Sequence, residues 1–304
     1  MLKRRAGKSE APRIYAYEYY QRIYEFEERH WWSIGMRTIT GRLLDRHLQD
    51  RQHRRILDVG CGTGSMLSWL ERYADPQRIV GIDLSRHALG FCQERRLRRL
   101  AQASITQLPF PDECFDLVTC ADVLQHLPRD GSDRQALVEC RRVLRPGGLL
   151  YVRTNVRLWG SSGNGEPPPR TSRPADFHQY SREELVVVVT GAGFELETLT
   201  YANMLPALVA TWMRQLSPSH AHVRDHPPDE YRGLTMRVPP VWLNAPLKLV
   251  LSGEGWYLAS PRRRLPYGHS LLCVAVKPHG QAHAPKSAAF EQGTERAGKG
   301  DLQR

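Results

Sequence analysis

The stretch RRILDVGCGTGSML, residues Arg54–Leu67, decides the fold of this chain. A short apolar run carries one acid, Asp58. Three glycines follow at alternate positions: Gly60, Gly62 and Gly64. Glycine has no Cβ, so such a turn lets the backbone approach a ligand closely, and the helix after it presents unpaired N–H groups. The pattern predicts a strand, a glycine turn and a helix that hold a nucleotide-bearing cofactor.

The details of this turn narrow the choice of cofactor. A nicotinamide or flavin site has G-x-G-x-x-G, but its third glycine would fall at Ser65. A P-loop needs Gly-Lys-Ser/Thr, and GCGTGS contains no lysine or arginine. A second acid, Asp83, ends the next apolar run, where a carboxylate can accept hydrogen bonds from a ribose. One acid could pair with an amine and the other could bind a diol, while the turn offers no cation for phosphates. Such a pocket complements a positively charged nucleoside, S-adenosylmethionine.

Strand-length apolar runs alternate with helical patterns after the turn. Such alternation predicts βαβ units and a parallel sheet covered on both faces, an α/β fold. Further strands are predicted at RIVGIDL, FDLVTCA, GGLLYVRTNV and SLLCVAVKP, with a weak one at ASITQ, residues Ala103–Gln107. Helices are predicted at GSMLSWLERYA, SRHALGFCQERRLRRL, RQALVECRRVL and LPALVATWMRQL, and one or two in the leader before residue 48.

Four segments resemble the motifs of class I S-adenosylmethionine-dependent methyltransferases of the small-molecule type. They are LDVGCGTG, VGIDLS, LPFPDECFDLV and LRPGGLLYV, in the family's order and spacing, and the leader EERHWW resembles that of bacterial relatives. The resemblance covers residues 54–158 and extends weakly to the last strand. It implies an enzyme with S-adenosylmethionine as cofactor and a Rossmann-like, doubly wound, mostly parallel seven-stranded sheet whose last strand is antiparallel.

The resemblance also implies a set of cofactor-binding residues. Asp58 and the three glycines would shape the methionine end, while Asp83 would hold the ribose hydroxyls. The family often has an acid for the adenine amino group where this chain has Ser104. The other implied positions are Leu84 packing on the adenine, Ile105 beside Ser104, and Ala121 and Asp122 on the methyl-transfer side.

The leader offers two further candidates, each with two interpretations. Arg37 could bind the methionine carboxylate and Trp32 could close the pocket, as in many relatives. Alternatively, the pair Trp31–Trp32 anchors the leader helix onto the sheet.

Two histidines are candidate catalytic residues. His126 lies after the fourth predicted strand, where the acceptor approaches, and His178 resembles a family H-x-Y-S/T-x-x-E-L segment.

Simple structural roles are equally open for both histidines: packing on a loop for His126 and helix entry for His178. Tyr180 is expected to pack at the start of the helix that begins with the capping box Ser181–Glu184, as the residue of a hydrophobic staple.

The six cysteines form no C-x-x-C pair, so we expect no metal site and no disulfide framework.

The acceptor is less defined than the cofactor. Enzymes that methylate exocyclic nitrogens of nucleic-acid bases commonly have Asn/Asp-Pro-Pro-Tyr/Phe after the fourth strand, where this chain has CADVLQHL. This argues against base N-methylation but not against other RNA targets, and nucleic acid is not the favoured partner. We expect a small-molecule, lipid- or sugar-linked acceptor, methylated at oxygen or carbon. The net charge of +11 keeps an RNA or protein methyltransferase open as an alternative, and a catalytically silent scaffold is a third.

Composition divides the chain into segments. We read no secretory signal, and no apolar run approaches the length of about 18 residues that a membrane span needs. We therefore expect a cytoplasmic protein. The tryptophans of 202–269 suggest an amphipathic acceptor or a peripheral membrane contact, and the oligomeric state is open. We expect a disordered basic start (1–13), a helical leader and cofactor lid (14–53), a methyltransferase core (54–201) with a loop at Gly160–Asp176, an acceptor-side insertion (202–269), a last core strand (270–278) and a disordered tail (279–304).

Overall fold

The computed structural model describes residues 16–48, 54–156, 178–216 and 237–279. Three predicted segments therefore lie outside the described residues: the basic start at 1–13, the loop at Gly160–Asp176, and the tail apart from His279.

A single mixed sheet forms the centre of the described structure. Its strand order is β3-β2-β1-β4-β5-β7-β6, and β7 runs in the direction opposite to the other six strands. This confirms the predicted seven-stranded sheet with an antiparallel last strand. The strands are β1 Ile56–Val59, β2 Ile79–Asp83, β3 Leu100–Gln102, β4 Phe115–Ala121, β5 Leu144–Asn155, β6 Glu195–Ala202 and β7 Ser270–Val276.

Helices cover both faces of the sheet, each with its own apolar cluster. One cluster joins α5 and α6 to the sheet, and the other joins α2, α3 and α8. Buried runs such as Ile56–Val59 are continuous rather than alternating because both faces are covered. The helices are α1 Tyr17–Phe26, α2 Trp31–Leu44, α3 Ser65–Leu70, α4 Arg86–Glu94, α5 Ser132–Val143, α6 Arg182–Gly191, α7 Met204–Leu216 and α8 Val241–Leu258.

The predicted start of α6 is confirmed in detail. The Ser181 hydroxyl accepts from the Glu184 N–H at 3.1 Å, and the Glu184 carboxylate accepts from the Ser181 N–H at 2.7 Å. Tyr180 is fully buried beside this cap, and its hydroxyl donates to Asp133 at 3.0 Å. Its role as a packing residue at the helix entry is therefore confirmed.

Two elements differ from the sequence prediction. The strand predicted at Ala103–Gln107 is wrong: β3 lies three residues earlier, and Ser104–Gln107 form a hydrogen-bonded turn. The long helix α8 was not predicted, because Pro246 lies inside it and apolar residues occupy both of its faces. No helix within the described ranges combines the length and hydropathy needed to cross a bilayer.

The leader helix α2 and α8 run side by side in the same direction. At the start of α2, the Trp31 N–H donates to the Asn244 side chain at 2.8 Å. Beyond its end, the Arg46 guanidinium donates to the carbonyls of Ala259 and Ser260. Gly35 lies at the closest approach, where an added Cβ would be 2.5 Å from the Leu251 Cβ. The predicted insertion thus contributes a helix that packs along the leader.

We expect Gly35→Ala to lower the free energy of unfolding by about 1 to 3 kcal/mol, because the new methyl group overlaps backbone-proximal atoms of Leu251 that cannot move aside. Gly90→Ala is the matched control. Gly90 is also helical, but an added Cβ there meets no atom within 4 Å, so this change should stabilise by up to about 1 kcal/mol. Urea unfolding checks both variants; equal effects would contradict the close packing.

Candidate functional site

The three glycines of the turn all have left-handed backbone conformations, with φ of 67° at Gly60, 55° at Gly62 and 86° at Gly64. Residues with a Cβ adopt this region rarely. A Cβ at Gly60 would overlap Val123, and one at Gly64 would lie 3.0 Å from the Cys92 sulfur. A Cβ at Gly62 would meet no atom within 4 Å. The backbone at Gly62 therefore faces open space, as a cofactor cradle requires.

Asp83 joins the end of β2 to this turn. One carboxylate oxygen accepts from the Gly62 N–H at 2.9 Å, and the other accepts from the Ser85 N–H at 2.8 Å. Burial raises the pKa of Asp83, and these backbone hydrogen bonds oppose the rise. Each oxygen has a further lone pair, so the carboxylate can still accept from a diol, as the sequence predicted.

Asp58 is the buried acid of the site. One carboxylate oxygen accepts from the Thr119 hydroxyl at 2.6 Å, while Oδ2 is buried without a hydrogen-bond partner among the described residues. Burial raises the pKa of Asp58 to about 7, and the Thr119 hydrogen bond and the charge of Arg153 limit the rise. A buried acceptor without a donor is costly, so this oxygen is suited to a cationic ligand group.

The leader contacts the turn through acids and arginines. The Glu27 carboxylate accepts from the Thr63 hydroxyl and from the Arg95 guanidinium, the latter at 2.7 Å. Arg37 donates to the Ser65 hydroxyl and pairs with Glu28 at 3.0 Å. Arg37 thus lies beside the glycine turn, and its role toward the methionine carboxylate stays a prediction.

A charged cluster lies where β4 and β5 end. Asp122 has a φ of 60°, and its carboxylate accepts from both Arg153 Nε and Nη2, at 2.9 and 2.6 Å. The Arg153 side chain is only 11% exposed, and its guanidinium lies 5.0 Å from the centre of the Trp32 ring. Burial acts to lower the pKa of Arg153, but Asp122, Tyr151 and Asp58 together outweigh it and raise that pKa. Trp32 therefore reaches the predicted methyl-transfer side, whereas Trp31 is buried as an anchor.

Sequence reasoning missed Arg153, although a signal was present. A lone arginine in the apolar run GGLLYVRTNV is unusual, because buried cations are almost always paired. Parallel pairing places Arg153 directly opposite Ala121, next to Asp122, which supplies the partner.

Four further residues that were predicted to contact the cofactor lie in different surroundings. Leu84 is 71% exposed. Ser104 hydrogen-bonds the Thr106 hydroxyl at 2.8 Å, and Ile105 is buried in the α5–α6 cluster. Ala121 is partly buried against the opposite cluster. Cofactor contacts of these four residues stay predictions.

The two histidines are joined through one residue. The His178 N–H donates to the Gln125 carbonyl at 2.9 Å, directly before His126, and its ring stacks on Tyr180 with centres 3.9 Å apart. The Gln125 side chain accepts from the Asn155 N–H at 3.0 Å and ties this turn to β5. Burial lowers the pKa of His126 to about 4, so its imidazole is neutral at physiological pH.

Comparisons with known proteins identify a family and several relatives. The profile of a family described as "Methyltransferase domain" matches residues 57–152. An Encephalitozoon cuniculi protein named as a methyltransferase is 31% identical to this chain over 192 residues. The match covers 55% of this chain and 79% of that protein. The fatty-acid O-methyltransferase of Mycolicibacterium smegmatis is 31% identical over 180 residues, 56% of this chain and 62% of its own.

The fold has counterparts among solved structures. A chain from the Haloferax volcanii complex of the Trm112 methyltransferase activator with a methyltransferase superposes with a TM-score of 0.53 at 19% identity, covering 88% of this chain and 97% of that one. This chain covers only 40 to 65% of the length of three curated relatives, one of which is the fatty-acid O-methyltransferase.

We expect affinity for S-adenosylmethionine to rise as the pH increases from about 6 to about 7.5, because Asp58 ionises over this range and its carboxylate then attracts the ligand's ammonium group. Calorimetric titration in buffers of different ionisation heat should also detect a released proton. Asp58→Asn should abolish the rise, and the exposed Asp130→Asn should keep it. A pH-independent affinity in the unmodified protein would contradict this assignment.

Proposed function

Because the chain belongs to the class I S-adenosylmethionine-dependent methyltransferases, we propose that it transfers a methyl group from S-adenosylmethionine to a lipid-linked or other small-molecule acceptor, at oxygen or carbon. The observation that carries this proposal is the pair of acids at the glycine turn. Asp83 is bonded to the Gly62 N–H, and Asp58 keeps a buried oxygen without a partner.

The residues present fit the cofactor. In this proposal, Asp83 accepts from the ribose hydroxyls and Gly62 gives the ligand room to approach the backbone. Asp58 compensates a cationic amine from inside the sheet. S-adenosylmethionine, when bound, supplies a methyl group on a positively charged sulfur. The protein then contributes mainly alignment and exclusion of water, and in this proposal Trp32, whose ring lies against Arg153, closes the methyl-transfer side.

The protonation of His126 bears on the choice of acceptor. An imidazole with a pKa of about 4 holds a proton poorly at neutral pH, so His126 is suited to accept a hydrogen bond from the acceptor rather than to store its proton. A carboxylate acceptor is already ionised at neutral pH and needs no base. Since one relative is named a fatty-acid O-methyltransferase, we place fatty carboxylates first among the acceptors to test.

We expect S-adenosylmethionine and S-adenosylhomocysteine to bind with micromolar dissociation constants in calorimetric titration, and NAD not to bind. Asp83→Ala should weaken both by more than about tenfold, because it removes the diol acceptor and releases the Gly62 N–H. Asp75→Ala, which removes the cap of a surface turn, is the control. A folded protein that binds neither nucleoside would favour the scaffold alternative.

We expect His178→Ala to lower kcat more than about tenfold with a long-chain fatty acid as acceptor, while the dissociation constant for S-adenosylmethionine stays unchanged. Formation of S-adenosylhomocysteine and of the methyl ester measures the turnover. His87→Ala, on α4, is the control for loss of an imidazole. Unchanged turnover would remove His178 from the site, and absence of turnover in the unmodified protein would exclude fatty carboxylates.

A further inference from the structure

Helices α7 and α8 expose large apolar side chains that the proposed methyl transfer does not use. On α8, the exposed residues Trp242, Leu249 and Trp256 are 75%, 72% and 69% accessible. Pro246 and Gly253 lie between them, also exposed, so that the five residues follow one stripe at the spacing of a helix face. A Cβ at Gly253 would meet no atom within 4 Å, which confirms that this stripe points away from the protein.

The outer side of α7 repeats the pattern over two turns. Its exposed residues follow the spacing i, i+3, i+4, i+7, and the buried Ala207 lies on the opposite side. We call the two stripes together the α7–α8 apolar face: Leu205, Leu208, Val209 and Trp212 on α7, and Trp242, Pro246, Leu249, Gly253 and Trp256 on α8.

One buried carboxylate fixes the two helices to each other. Glu254 of α8 accepts from the N–H groups of Asn203, Met204 and Leu205, at 2.7, 2.8 and 3.1 Å, and so caps the N-terminus of α7. The apolar face is therefore carried by a joined pair of helices rather than by two independent ones.

Basic residues lie on α8 and in the described turn that follows it. Glu254 is the only acid in the sequences of the two helices, and it is buried. Lys248 lies on α8, and Arg262 and Arg263 follow directly after it, both exposed. The Arg263 guanidinium lies 5.0 Å from the Tyr257 ring, at the end of the stripe. Tryptophans beside basic residues, with no exposed acid on the described parts of the two helices, suit the interface of an anionic bilayer.

We propose that the α7–α8 apolar face docks on an anionic lipid surface, with the indoles at the headgroup boundary and the arginines on the phosphates. A second copy of this chain fits the face less well, because a twofold interface would bring the basic borders of both copies together. The proposal is independent of methyl transfer, since adsorption to a bilayer requires neither cofactor nor acceptor.

Sedimentation of the full chain with vesicles tests the proposal. We expect binding to vesicles of equal parts phosphatidylcholine and phosphatidylglycerol, weaker binding to phosphatidylcholine alone, and loss of binding at high salt. Vesicles with brominated acyl chains should quench the tryptophan fluorescence. The variant Trp242→Ser/Trp256→Ser should lower the partition coefficient by at least about tenfold and reduce the quenching.

Two matched variants separate the contributions. Val187→Ser removes an equally exposed apolar residue from α6 and should leave binding unchanged. Arg262→Glu/Arg263→Glu should abolish the preference for anionic lipid. No binding of the unmodified protein to anionic vesicles would overturn the proposal, as would an equal effect of Val187→Ser. A dimer in light scattering that Trp242→Ser/Trp256→Ser dissociates would also overturn it and assign the face to a second copy.

Discussion

The hydrogen bond from the Gly62 N–H to the Asp83 carboxylate is the contact on which the site depends. It joins the turns after β1 and β2, and the Cys61 N–H reinforces it by donating to the Ile82 carbonyl at 2.8 Å. The bond requires the Gly62 N–H to point toward β2, which the left-handed glycines allow at little steric cost. The same backbone path leaves the space in front of Gly62 open, so one constraint both closes the turn and creates the cradle.

The electrostatics of the site follow from burial. Asp58 is inside the sheet and Asp83 at its edge, and burial raises the pKa of both carboxyls. Arg153 lies close enough to lower the pKa of Asp58, but its guanidinium is engaged by Asp122. The arginines nearest the glycines are paired with acids of the leader, Arg37 with Glu28 and Arg95 with Glu27. The two buried acids thus favour an incoming cation, and the turn GCGTGS itself contains no lysine or arginine. This charge distribution distinguishes it from phosphate-binding turns, which offer lysine or arginine at the same place.

Sequence patterns predicted the sheet, the glycine turn and the start of α6 because those segments are governed by local rules: buried strands, glycine conformation and the capping box at Ser181. They failed where tertiary contacts decide. β3 has only three residues, too few for a periodicity to show, and Ile105 follows it into the core from a turn. Helix α8 packs one side on α2 and exposes apolar residues on the other, so its amphipathic signal is lost. The pairing of Arg153 with Asp122 depends on the strand register.

The leader helix α2 links these features physically. Its first turn holds α8 through Trp31 and Asn244, and the ring of the next residue, Trp32, lies 5.0 Å from the Arg153 guanidinium. Farther along, Thr40 hydrogen-bonds the buried Tyr151 of β5 at 2.7 Å, and Gly35 lets α8 approach closely. Because protein interiors are closely packed, a shift of α8 would move α2 with it and change the position of Trp32. The contacts that carry the α7–α8 apolar face are therefore continuous with those that position Trp32 at Arg153.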